Sequence, residues 1–180
     1  MSKIYINYLR FLEYFFMLIG KDPMKLKLKR YRYYGSKIGK NVRAFSPVSS
    51  SESYLISIGD DTTISSGVKF ITHDNSISKS SQGTDLVGPI TVGKKCFIGM
   101  NSIILPGVEI ADNTIIAAGS VVTKSVFNVG QIIAGNPAKS IGNVENFTQK
   151  NIEKIFNFKN LSKEEKKKLI FENENMWIKK

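Results

Sequence analysis

His73 is the only histidine in a chain of 180 residues, and it stands in the run Thr72-His73-Asp74. A neutral imidazole accepts a proton near physiological pH, so one well-placed histidine can serve as a general base. Such a base gains from a carboxylate on its second ring nitrogen, which fixes the tautomer and stabilises the imidazolium that forms. Two acids compete for that part. Asp74 is adjacent in sequence, but neighbouring side chains of extended backbone point to opposite faces, and an Asp there equally suits a turn. Glu52 lies 21 residues earlier, so only the fold can bring it near. Cys96, the only cysteine, is the one thiol nucleophile to weigh. A zinc hydratase centre takes three imidazole ligands, which one histidine cannot supply, and no metal is expected.

The elements that position these groups follow from a repeat. Val92, Ile98, Ile104, Ile110, Ile116 and Val122 are aliphatic and spaced by six. Four residues behind each stands a small or β-branched residue: Cys96, Ser102, Val108, Thr114, Ser120 and Val126. Gly93, Gly99, Ala111 and Ala117 directly follow aliphatic positions, where a bulky side chain would crowd a corner. The rhythm recurs earlier at Ile38-Gly39, Ile58-Gly59, Ile64 and Phe70. Six is not a helical period, and plain alternation would not mark every sixth position. Short strands broken by regular corners satisfy it, with aliphatic residues inward and coils stacking at about 4.8 Å per layer. One coil cannot bury its own apolar face, so the repeats must run on continuously, for roughly five coils. In that arrangement Cys96 fills an interior slot and is core rather than nucleophile. Glu52 and His73, separated by about one coil, can stack.

The rhythm stops after Phe70 and resumes near Ile90. The polar stretch between them, 72–89, reads as an excursion loop, and long loops on rigid scaffolds are disproportionately functional. His73 sits at its root.

Charge is unevenly spread. The formal net charge is +11. Residues 1–43 hold 11 Lys and Arg against 2 acids, 44–144 hold 6 against 7, and 145–180 hold 9 against 6. A neutral middle without a recognised motif or a basic-aromatic platform speaks against nucleic acid. The apolar run 4–19 is too short for a membrane span and is broken by Arg10 and Glu13. It reads as an amphipathic helix packed on the core or on a neighbouring subunit, its aromatics at 11–16 serving packing. The competing role is contact with the inner face of an anionic membrane, aided by the basic run 25–32. Residues 145–180 read as a helical tail, with a capping box at Ser162-Lys163-Glu164-Glu165. The organisation expected is a basic helical segment 1–37, a repeat domain 38–142 and a tail 143–180. A single cysteine and the lack of a secretory signal point to a cytoplasmic setting.

The stretch IGMNSIILPGVEIADNTIIAAGSVVTKS (98–125), closing with IIAGNPAKSIG (132–142), resembles the hexapeptide-repeat acyltransferases. SESYLISIGDDTTISSGVKFITHD (51–74) is similar to sugar O-acetyltransferases of capsule and lipopolysaccharide pathways, with galactoside and maltose acetyltransferases more distant. The resemblance implies a left-handed parallel β-helix, an all-β solenoid with helical appendages, assembled as a homotrimer. It implies acetyl-CoA as cosubstrate and a carbohydrate acceptor. The catalytic histidine of that family occupies the place of His73, and the setting of Glu52 is also similar. Neither GxxxxGK[ST] nor GxGxxG occurs in the chain. The CoA contacts implied by motif are Met100, Ala118, Thr123 and Lys124. Ala117 replaces a common Gly, and Ser125-Val126-Phe127 replace Asp-Ile-Pro, which puts the path after Lys124 in doubt. The activity implied is acetyl transfer to a sugar hydroxyl of a surface polysaccharide or its precursor. The alternatives are N-acetylation of a nucleotide-linked amino sugar and a non-enzymatic solenoid scaffold.

Overall fold

A computed structural model of the chain describes residues 3–178. Its repeat region consists of short parallel strands that visit three faces in rotation. The first face holds β1 (Lys37–Ile38), β3 (Ile56–Ile58), β8 (Ile90–Val92) and β11 (Glu109–Ile110). The second holds β2 (Arg43–Ala44), β4 (Thr63–Ile64), β9 (Phe97–Ile98), β12 (Ile115–Ile116) and β14 (Gln131–Gly135). The third holds β5 (Lys69–Phe70), β10 (Ile103–Ile104) and β13 (Val121–Val122). Thr91 pairs with Glu109, Phe97 with Ile115 and Ile103 with Val121, each an 18-residue step. Three hexads per turn follow directly. Five strands stack on the second face alone, so the roughly five coils expected are complete on one side only.

The inward series is buried as its period requires. Ile98, Ile104, Ile110, Ile116 and Val122 lose essentially all exposure and join one continuous core. The small-residue slots do more than fill the taper, because their side chains donate to corner carbonyls. Ser102 Oγ bonds Ala117 O at 3.0 Å, Ser120 Oγ bonds Ala117 O at 2.7 Å, and Thr62 Oγ1 bonds Gly93 O at 2.8 Å. Cys96 belongs to this set: it is buried, its Sγ approaches Ala111 O at 3.2 Å, and burial pushes its thiol pKa up. A protonated, enclosed thiol is a poor nucleophile. Corners stack so closely that a Cβ on Gly99 would lie 2.5 Å from Ala118 N.

Thr114 is the exception among the slots. Its Oγ1 is buried without a hydrogen-bond partner among the described residues. An isosteric Thr114→Val removes that unpaired hydroxyl and is expected to stabilise by about 1 kcal/mol. Thermal unfolding should then move up by roughly 2–4 °C.

Two helices precede the coils, α1 (Lys3–Leu18) and α2 (Met24–Tyr33). Leu28 and Tyr31 of α2 enter the core cluster. Glu13 of α1 is buried and paired with Arg30 of α2 through two bonds, Nε–Oε1 at 2.7 Å and Nη2–Oε2 at 2.9 Å. The aromatics at 11–16 do not all pack as expected: Phe11, Tyr14 and Phe15 are exposed, because α1 turns Leu9 and Glu13 inward instead. Among the described residues no helix is long and apolar enough to cross a membrane.

The chain divides into two compact units between Val144 and Glu145. β15 (Ala138–Asn143) closes the first by pairing antiparallel with β14. The second contains most of α3 (Val144–Asn151), and α4 (Lys163–Glu172). At the start of α4, Ser162 Oγ accepts from Glu165 N and Glu165 Oε2 accepts from Ser162 N, the capping box read from the sequence.

Candidate active site

The excursion leaves the third face directly after β5. Ile56 pairs with Ile90, a 34-residue step where later coils take 18, so the extra residues are all spent in this one loop. Its two ends are zipped into a short antiparallel ribbon, β6 (His73–Asp74) against β7 (Leu86–Val87). Gly88 N donates to Thr72 O at 2.9 Å, extending that closure. The loop reading did not anticipate this ribbon. It gives His73 a fixed backbone at the edge of a rigid wall.

Glu52 reaches the same corner from one coil earlier. The first coil is longer than the 18-residue coils that follow the excursion, since Lys37 pairs with Ser57, and the added length forms a 3-10 turn at Ser53–Leu55 just after Glu52. His73 Nδ1 lies 2.8 Å from Glu52 Oε2. A carboxylate only accepts, so Nδ1 carries the proton and Nε2 is left with its lone pair. Thr72 Oγ1 donates to the same Oε2 at 2.6 Å, and Ser50 Oγ lies 2.7 Å from Thr72 Oγ1. Ser50 Oγ also accepts from Glu52 N at 3.2 Å. Thr72 is buried, so this chain of short bonds clamps the carboxylate from behind.

The electrostatics follow from those contacts. The Thr72 hydroxyl, then the imidazole, hold the Glu52 carboxyl below its usual range. The hydrogen bond and charge of Glu52 raise His73 above its ordinary value of 6.5. Asp74 stands elsewhere: its Oδ1 accepts from Ser76 N at 2.9 Å, a local turn contact that lowers its own pKa. Of the two candidate carboxylates, only Glu52 touches the ring. Thr72 and Ser50 were missed from the sequence; the signal available was a pair of hydroxyl residues flanking the two candidate groups.

His73 lines a cleft of about 580 Å³ together with Ser50, Ser51, Thr72, Asp74, Leu105 and Pro106. Leu105 and Pro106 follow β10, and Thr123 and Lys124 follow β13 one coil further along the same corner. Met100 and Ala118 lie at the other end of this third face, where Gly119 N donates to Met100 O at 2.7 Å. All four residues named for CoA are exposed on late coils. Lys124 also lines a second cleft, of about 350 Å³, with Phe127 and Lys139. Val126 bridges in parallel to Ile110, so the divergent segment after Lys124 keeps to the coil before Phe127 turns outward. Among the described residues no group of His, Cys, Asp or Glu side chains is arranged to hold a metal ion.

Thr72→Val tests the clamp. It removes the hydroxyl from Glu52 with little change in side-chain shape, and the Glu52 pKa, read by NMR titration, is expected to move back up toward its ordinary range.

Comparison with known proteins agrees with this architecture. Residues 89–124 match the family described as bacterial transferase hexapeptide (six repeats). The chain is 44% identical over 144 residues to Protein CapG of Staphylococcus aureus, covering 77% of this chain and 83% of that protein. It is 34% identical over 115 residues to galactoside O-acetyltransferase of Escherichia coli (strain K12), covering 62% of this chain and only 56% of the relative. Among solved structures, galactoside acetyltransferase in complex with coenzyme A superposes with a TM-score of 0.58, at 23% identity over 83% of this chain and 86% of that one. A hexapeptide-repeat-containing acetyltransferase of Vibrio cholerae complexed with acetyl coenzyme A gives a TM-score of 0.52, at 24% identity over 61% of each chain. At such identities the superpositions concern the fold alone. With the six-residue repeat, the three-faced parallel coil and the long CapG alignment in agreement, the chain belongs to the hexapeptide-repeat acyltransferase family.

Proposed function

We propose that this chain is an acetyl-CoA-dependent O-acetyltransferase acting on a sugar hydroxyl, on a coil of the left-handed hand that its family implies. One observation carries the reading: an imidazole whose Nδ1 is held by a clamped carboxylate, at the wall of an open cleft. The acceptor hydroxyl gives its proton to His73 Nε2 as its oxygen attacks the thioester carbon. A backbone N–H stabilises the oxyanion of the tetrahedral adduct. Collapse breaks the carbon–sulfur bond, and the leaving thiolate takes the proton back from the imidazolium. Glu52 holds the tautomer and offsets the transient charge.

Acetyl-CoA supplies the acyl group. Met100, Ala118, Thr123 and Lys124 flank the third face on late coils, where exposed corner backbone suits the amide-rich pantetheine arm. Lys124 and Lys139, on one cleft, suit its phosphates. Support for a carbohydrate acceptor comes from the likeness to galactoside O-acetyltransferase. The family resemblance implies a homotrimer with sites between subunits; light scattering that gave a fully active monomer would overturn it. The reaction itself is tested by following thiol release from acetyl-CoA with hydroxyl and amino sugars side by side. Release with hydroxyl acceptors, yielding a base-labile ester, supports the proposal. Release with amino sugars alone would replace it by N-acetylation.

A further inference from the structure

Among the described residues of its own unit, nothing covers the outward face of α1. Ile4, Tyr8, Phe11, Phe15 and Leu18 fall on one stripe at helical spacing, and all are exposed. Charge frames that stripe. On a helical wheel Tyr5 and Arg10 lie on its opposite flanks. Lys29 Nζ stands 5.6 Å over the Tyr5 ring, and Arg10 Nη2 meets Tyr34 Oη at 3.4 Å. Lys21 and Lys25 are exposed nearby in the chain, whereas Arg32 donates to Ile38 O and Gly39 O on the coil. Of the two acids in residues 1–43, Glu13 is turned inward and paired with Arg30, and Asp22 accepts from Met24 N.

From this we infer that α1 lies in the plane of an anionic lipid surface, with its Tyr8–Phe11–Phe15 stripe buried among the acyl chains and the surrounding Lys and Arg at the headgroups. An apolar stripe rich in aromatics beside a cationic border is the pattern such a surface recognises. The 16 described residues of α1 fall short of a bilayer span, and an in-plane position suits them. Charge also argues against docking of this face on the same face of a second copy, which would bring like charge onto like. The carbohydrate acceptor of the proposed reaction would then meet the enzyme at the membrane. The docking itself does not depend on that reaction.

The test uses the full chain with sucrose-loaded vesicles of phosphatidylcholine alone or mixed with phosphatidylserine. The chain is expected to sediment with the anionic vesicles in low salt and to stay in solution with the neutral ones. Phe11→Glu combined with Phe15→Glu should lower partitioning at least tenfold, and Lys25→Gln or Lys29→Gln each by about fivefold. Both phenylalanines are exposed, so these variants should fold, with circular dichroism as the check. Failure to sediment with anionic vesicles would overturn the inference. So would sedimentation untouched by the two glutamates, which would leave only a non-specific charge effect. A fall in oligomeric mass of the Phe11→Glu/Phe15→Glu variant, read by light scattering, would assign the face to a second copy instead. Acetyl transfer in solution reports separately on the proposed reaction.

Discussion

His73→Ala is expected to lower the rate of acetyl transfer by roughly 10²–10⁴-fold, the usual size of a general-base contribution. Acetyl-CoA should still bind, since the residues assigned to it lie on later coils than the His73 corner. Melting temperature should shift little, because the imidazole is partly exposed and stands outside the aliphatic stack. The pattern across the three measurements is diagnostic. A variant that unfolds makes His73 a structural residue, and one that turns over normally removes it from the chemistry.

Glu52→Gln should have the second largest effect, a loss of about 10- to 10³-fold in turnover. Gln preserves the shape but removes the charge that favours the imidazolium. The pH dependence separates this from simple misplacement. The base works only when neutral, so activity falls as pH drops through the His73 pKa. With Glu52 present that pKa is raised above 6.5, and the acid limb of the rate profile lies above 6.5 with it. In Glu52→Gln the limb should move to lower pH. Asp74→Asn should leave it nearly in place, since Asp74 stands last among the causes of the His73 shift and bonds Ser76 instead. An unmoved limb in Glu52→Gln would remove Glu52 as the orienting group.

The coil was legible because its physics is periodic. Every sixth residue faces the same interior, so Ile98 to Val122 declare their burial by type and spacing, and the small slots betray the taper. Likewise, His73 was legible as the one imidazole placed where the repeat breaks. The choice between Glu52 and Asp74 was not, because it turns on a register offset that spacing states only to within a residue or two. Thr72 and Ser50 were hidden for a related reason. Hydroxyl residues are common on loops, and only stacking of successive corners puts Thr72 on the Glu52 carboxylate and Ser50 behind Thr72. The exposure of Phe11 and Phe15 depends on which face of α1 turns inward, the face that carries Leu9 and the Glu13–Arg30 pair.

The proposed reaction is acetyl transfer to a sugar hydroxyl with His73 as the base. It is tested most directly by mass spectrometry of surface-type glycans incubated with acetyl-CoA and either the native chain or His73→Ala. The expected result is a mass gain of one acetyl group per acceptor with the native chain, removed by mild base as an ester is, and little or none with the variant. An acetyl group that resists base, or equal product from His73→Ala, would contradict it.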